Sequence, residues 1–202
     1  DQGIPSEKLI LAGDLKEIFS ERKTLNKNPS KNLLILLSMV SESAIETLTK
    51  VYANNSLIID NLKLKVKVKM HPFSETQDIL KKMKWKKLPV GWDWAKKELS
   101  SELEDSYCCI AMDTASVYDA IFKGNIVISL MSEHKLMENY LDVYSNKYSI
   151  VNSVSEKDLP IRLKDVFLDK TDLFKEEFSQ IRRDLINGIN KVDSTNFMNF
   201  IK

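Results

Sequence analysis

Three stretches of the chain are almost continuously apolar: residues 32–38 (NLLILLS), 107–112 (YCCIAM) and 126–131 (IVISLM). Short runs of this kind, rich in Leu, Ile and Val with no polar alternate face, suit strands covered on both sides. Polar turn residues follow the first two, and then helical spacing begins. Ala44, Ile45, Leu48, Val51 and Tyr52 form one apolar stripe, with Ser41 and Ser43 as candidate N-caps. Val117, Ala120 and Ile121 form another, closed by Lys123-Gly124. Residues 107–131 therefore read as strand, turn, helix and strand. Such a βαβ unit implies a parallel sheet with its polar loops gathered at one edge.

The pattern between these runs is weaker. Residues 63–69 (KLKVKVK) alternate with period two, as a strand with one wet face does. Their lysines form either a basic stripe or, more commonly, a plain solvated face. Pro72 ends that strand, and Ser74 can cap a helix over 75–83. Residues 84–90 are expected to hold a short strand, Gly91 a turn, and Trp92-Asp93-Trp94 the opening of a helix toward Leu99. Residues 147–151 (KYSIV) read as a last short strand. A helix over 155–167 is interrupted near Pro160, and a long amphipathic helix over 170–192 runs through Phe174, Phe178, Ile181, Leu185 and Ile189. The tail, with Phe197, Phe200 and Ile201, is expected to dock.

The predicted architecture is α/β: a three-layer Rossmann-like domain with a mainly parallel sheet of about six strands, helices on both faces and a helical C-terminal tail. Residues 1–31 read as an inter-domain linker with a short strand at 9–13. Residues 32–168 form the Rossmann-like domain, and 169–202 the helical segment.

Composition narrows the classes. With 202 residues and 43% hydrophobic content, the chain can bury a proper core. Thirty Lys+Arg against 29 Asp+Glu leave a net charge of +1, which argues against a nucleic-acid module relying on bulk positive charge and leaves a local patch open. Cys108 and Cys109 are adjacent in a strand and point to opposite faces, so they read as small buried hydrophobes in a reducing compartment. No Cys/His group has zinc spacing, and no apolar run reaches the roughly 18 residues of a membrane span. The chain opens on Asp1 without a signal peptide, as an excised part of a longer protein would.

Candidate chemistry collects where strands end. The hydroxyls of Thr114 and Ser116 sit where a strand hands over to a helix, a place suited to a phosphate and equally to a simple helix cap. His71 sits at the end of the lysine-rich strand, the ligand edge of open α/β sheets. The loop 38–42 lacks G-x-G-x-x-G, which disfavours a dinucleotide cofactor. The tryptophans at 92 and 94 either stack on a base or sugar ring or belong to the core or a domain interface. No Ser/His/Asp triad spacing is present.

Taken in order, Met70-His71-Pro72, then Asp113-Thr114-Ala115-Ser116-Val117-Tyr118-Asp119, then Gly124-Asn125-Ile126-Val127-Ile128, resemble the C-terminal half of GT-B glycosyltransferases. The nearest look is that of bacterial surface-polysaccharide enzymes: sialyl-, polysialyl- and Kdo-transferases and CDP-glycerol glycerophosphotransferases. The opening stretch 3–13 (GIPSEKLILAG) also looks like that family's crossing between domains. The resemblance covers the chain up to about Val151.

It implies that the domain binds a nucleotide-activated sugar. His71, Thr114 and Ser116 would hold the donor phosphate, and Val90, Gly91 and Trp92 the base. Asp119 would stand where many sugar-nucleotide enzymes carry Glu for the ribose. A CMP-linked donor is implied by the His-Pro motif alone. No metal and no other cofactor is implied. The catalytic residues and the glycan or lipid-linked acceptor would belong to a missing N-terminal domain, so this part alone should not turn over. The family places such proteins in the cytoplasm, at times on the inner face of the membrane, and peripheral membrane association is left open. Two other readings stand beside it: the corresponding half of a UDP-sugar epimerase of GT-B fold, and a non-catalytic α/β interaction module. Thr-Ala-Ser instead of paired serines, and Asp instead of Glu at 119, depart from the family pattern.

Overall fold

The computed structural model describes residues 31–133 and 140–190. The expected linker, up to residue 30, and the aromatic tail lie outside the described residues, as do residues 134–139 after β5. The elements in order are β1 (Asn32–Leu36), α1 (Ser41–Tyr52), a π-helical turn (Leu57–Asn61), β2 (Lys65–Lys69), α2 (Thr76–Lys82), β3 (Trp92–Trp94), α3 (Leu99–Asp105), β4 (Cys108–Ala111), α4 (Ser116–Phe122) and β5 (Ile126–Ser129). Two 3-10 turns follow, at Asp142–Tyr144 and Ser149–Val151. Then come α5 (Leu159–Lys164), a second π-helical turn (Asp165–Asp169) and α6 (Thr171–Asn190).

The five strands make one sheet in the order β3-β2-β1-β4-β5, and every pairing is parallel. The chain winds one way from β1 to β3, then returns past β1 to β4 and β5. Right-handed crossovers therefore put α1 and α2 on one face and α3 and α4 on the other. Double coverage explains why the inner strands are so apolar. Leu33, Leu34 and Ile35 of β1, and Cys108, Cys109 and Ile110 of β4, are all fully buried. Neither cysteine is in a disulfide, and burial, with Cys109 next to it, pushes the Cys108 thiol well up. α6 lies against α4 and β5, and it buries Phe174, Phe178 and Ile181 as its apolar spacing requires.

Three expectations are corrected. The strand on the β3 side follows Gly91 instead of preceding it, and Trp92–Trp94 is extended, not helical. The period-two Trp-Asp-Trp decides this: Trp92 turns inward while Asp93 stays in solvent. Residues 147–151 do not form a strand. Ser149–Val151 is a 3-10 turn, and the sixth position of the sheet is a single parallel bridge between Leu130 and Val154. Pro160 does not interrupt a helix but opens α5, where its missing N–H costs nothing.

Candidate functional site

In an open doubly wound sheet, the crevice for a ligand lies beyond the carboxyl ends of the strands, where the winding direction reverses. Here that place is between β1 and β4. The residues leaving β1 are Leu37, Ser38, Met39 and Val40, and those leaving β4 are Met112, Asp113, Thr114 and Ala115.

The two loops are joined by a carboxylate. Asp113 adopts a left-handed backbone (φ 51°), a conformation Asp tolerates better than most residues. Its Oδ2 accepts from the Ser38 hydroxyl at 3.5 Å and from the Ser43 hydroxyl at 3.4 Å. Ser38 also accepts the Val40 N–H at 3.0 Å, which closes the loop into α1. Ser38 and Ser43 are buried. The carboxylate therefore stands beside the first turn of the 12-residue α1, the end of a helix that favours negative charge.

Thr114 is buried, and its Oγ1 accepts the Ser116 N–H at 3.4 Å. That is the local capping bond of the β4–α4 turn, and it leaves the threonine proton to be donated elsewhere. α4 spans only seven residues, so its dipole is small and the turn's donors matter more than the helix field. Ser116 opens α4 and Asp119 lies in its first turn, so the two share the β4 strand end with Thr114.

A shallow, solvent-open depression sits against this turn, lined by Met112, Asp113, Thr114, Ser132, Tyr140 and Ser153 among others. Its far wall is held by a buried ion pair. Lys50 of α1 reaches Glu46 Oε1 and the Met131 carbonyl, each at 2.6 Å. Glu46 in turn accepts the Glu133 N–H at 2.8 Å and the Ser132 hydroxyl at 3.2 Å. Burial raises the Glu46 carboxyl, but these donors and the Lys50 charge outweigh it and hold it below the usual range.

His71 follows β2 at the same edge of the sheet. Two strand spacings separate it from β4, about 10 Å. Its Nδ1 accepts the Phe73 N–H at 3.3 Å, which leaves the other ring nitrogen toward solvent. Thr114, Ser116, Asp119 and His71 therefore share one edge.

Val90, Gly91 and Trp92 do not join them. They precede and begin β3, at the amino edge, because β3 runs parallel to β2 with Trp92 opposite Val66. Local packing accounts for them. Gly91 has φ +85°, a backbone that favours glycine, and a Cβ there would also have to push aside the end of the Ile59 side chain, 2.9 Å away. The buried Trp92 indole donates to Asn55 Oδ1 at 2.8 Å. One ligand lying along the carboxyl edge does not touch this turn.

Sequence reasoning missed Ser38 and Ser43 as partners of Asp113. The signal was there in part: the two most apolar runs of the chain end on Ser38 and just before Asp113. Which strands would lie side by side was not readable. Among the described residues, no group of three or more His, Cys, Asp or Glu side chains converges as metal ligands would, and no helix is long and apolar enough to cross a membrane.

No protein-family model matches the sequence, and no curated protein matches it. Solved structures do match by shape. The GtfA/B complex superposes with a TM-score of 0.56 at 12% identity over 86% of this chain and 36% of that one. An S. aureus MnaA structure with UDP gives 0.55 at 14% identity over 86% of this chain and 48% of that one. The glycotransferase of kitacinnamycin gives 0.50 at 13% identity over 82% and 43%. The chain shares the Rossmann-like α/β fold of the matching parts of these structures. It spans less than half the length of each of these three proteins.

Proposed function

We propose that this chain is the donor-binding domain of a glycosyltransferase, holding a nucleotide-activated sugar at the carboxyl edge of its sheet. One observation carries the reading. The carboxyl edge of the sheet carries a solvent-open depression at the ends of β4 and β5, beside the β1–β4 switch point, lined in part by Asp113, Thr114, Ser132 and Ser153, with His71 on the same edge. The hydroxyls of Thr114 and Ser116, the amides of that turn and the His71 imidazole would meet the donor phosphate, without a metal. Charge builds on that phosphate as the glycosidic bond breaks, and fixed donors aimed at it lower the barrier. Asp113 and Asp119, being acceptors, are suited to ribose or sugar hydroxyls and not to the phosphate. The base is not assigned to Val90, Gly91 and Trp92, which lie at the other edge. The acceptor, a glycan or lipid-linked sugar of surface-carbohydrate synthesis, and the catalytic base belong in this reading to a further domain.

The His-Pro resemblance favours a cytidine nucleotide, and the UDP in the MnaA structure makes uridine the first competitor. Calorimetric titration with CMP, CDP and UDP, in EDTA, tests the site. Trp85 and Trp92 cluster at the amino edge, so heat of binding is a better readout than their fluorescence. Binding of at least one nucleotide is expected, with Thr114→Val and His71→Ala each about tenfold weaker, the usual cost of a hydrogen bond to a charged group. If no nucleotide binds at millimolar concentration, the donor-site reading fails. Binding of UDP alone would remove the cytidine preference.

A further inference from the structure

The net charge of +1 hides a strong segregation. Residues 63–97 hold eleven lysines and no arginine against Glu75, Asp78 and Asp93, a net of +8, so the rest of the chain is negative. Within this segment four of the lysines are engaged. Lys67 is paired with Glu102 at 2.6 Å, Lys97 with Asp105 at 2.6 Å, Lys69 bonds the Lys97 carbonyl and Lys82 the Ser41 hydroxyl. By contrast Lys63, Lys65, Lys84, Lys86 and Lys87 are exposed and make no ion pair among the described residues.

These five belong to one corner of the fold, the amino edge beside β3. Lys63 and Lys65 lead into β2. Lys84, Lys86 and Lys87 flank Trp85, whose ring lies 5.1 Å from Tyr52 and 6.3 Å from Trp92. Lys84 has a left-handed backbone (φ 56°). Tyr52, at the end of α1, is 46% exposed, and Val90 at the same corner is 84% exposed. Asp60 and Asp93 are the exposed carboxylates of the neighbouring elements, and five ammonium groups outnumber them.

We propose that this corner docks onto an anionic lipid bilayer. Unpaired ammoniums would face the headgroups, while Val90 and the Tyr52–Trp85 edge would enter the interface. Three features favour a bilayer over a nucleic acid. The cations are all Lys, whereas Arg is the usual reader of phosphates and base edges. The aromatic rings pack edge to face on one another at 63–88° and form a cluster, not a row of parallel platforms for successive bases. An exposed aliphatic side chain amid lysines has a use in lipid and none on RNA. The proposal does not rest on the donor-site reading: the corner is on the opposite edge of the sheet, so the β1–β4 crevice stays uncovered when it docks.

The test is co-sedimentation of the 202-residue chain with vesicles of phosphatidylcholine, with and without phosphatidylglycerol. Binding only to the anionic vesicles is expected, falling as salt rises. Each lysine near such a surface adds about fivefold to the partition, so Lys84→Glu/Lys86→Glu/Lys87→Glu should weaken it about a hundredfold. Val90→Asp should weaken it too, and both variants should keep the thermal midpoint of the parent. Lys157→Glu/Lys164→Glu, on the other side of the molecule, should leave binding unchanged. The proposal falls if anionic vesicles are not bound, or if the triple variant binds as the parent does. It falls equally if the distant pair is as damaging as the triple, or if RNA or polyphosphate binds while vesicles do not.

Discussion

The two edges of this sheet are built from similar residue types and use them differently. At the carboxyl edge the polar groups come in small sets that leave capacity over: the Thr114 proton, the second ring nitrogen of His71, the open side of the depression. At the amino edge beside β3 the polar atoms are consumed by the fold. The Trp92 indole is bonded to Asn55, and Gly91 answers to a left-handed backbone, φ +85°. What remains there is bulk charge and apolar surface without directed hydrogen bonds. Directed, unspent donors suit a small ligand, and undirected charge suits an extended surface.

The sharpest way to break this contrast is at Gly91. Gly91→Val combines strain at positive φ with a clash against Ile59, and should cost about 2–4 kcal/mol in chemical denaturation. It should leave nucleotide affinity unchanged in the molecules that remain folded. A loss of affinity at constant stability would put the base at the amino edge after all. The converse case is Thr114→Val, expected to weaken nucleotide binding about tenfold, near 1.4 kcal/mol, with a smaller effect on stability. If it destabilises the fold as much as it weakens binding, Thr114 is only a cap.

Trp92→Phe keeps the ring and loses the bond to Asn55. About 1 kcal/mol of stability should go, with no change in nucleotide binding by calorimetry.

Mild acid separates the regions by a different route. Lys147, the Tyr148 hydroxyl and Gln180 pull the Asp184 carboxyl down to about 2, and α6 is fastened to the 3-10 turns through that carboxylate. Glu102 is raised by burial, but Lys67 and the Lys97 amide more than compensate and hold it low as well. Groups depressed in the folded state contribute stability above their ordinary values, and that contribution is lost as pH falls through the folded ones. Thermal midpoints should therefore decline between about pH 4 and pH 2. Asp184→Asn should flatten the lower end of that decline.

Legibility from sequence followed locality. β1, β4 and β5 were readable because strands covered on both faces must be apolar throughout. The turn carrying Thr114, Ser116 and Asp119 was readable because those residues lie within six positions of one another. β3 was not. Three residues are too few for a period to declare itself, and tryptophans suit a helix start as well as a strand. The Asp113 contact to Ser38 spans 75 positions, and it exists only because β1 and β4 are neighbours in the sheet. Nothing local in either segment announces that pairing. The same applies to the lysine corner. The alternation in β2 was visible, but contacts removed Lys67 and Lys69 from the stripe, leaving Lys65 at its start and the other free charges in the turns.

The two thiols of β4 have a practical use. Cys108 and Cys109 lie at the centre of the sheet, fully enclosed, and the Cys108 proton is held tightly. A thiol reagent in solution can reach them only when β4 parts from its neighbours. The rate at which they are modified under native conditions is thus a clock for opening of β4 from β1 and β5, with no added label. For the same reason a cysteine introduced at Val90 or Ser116 would be the only one to react quickly, and could carry a probe of either edge.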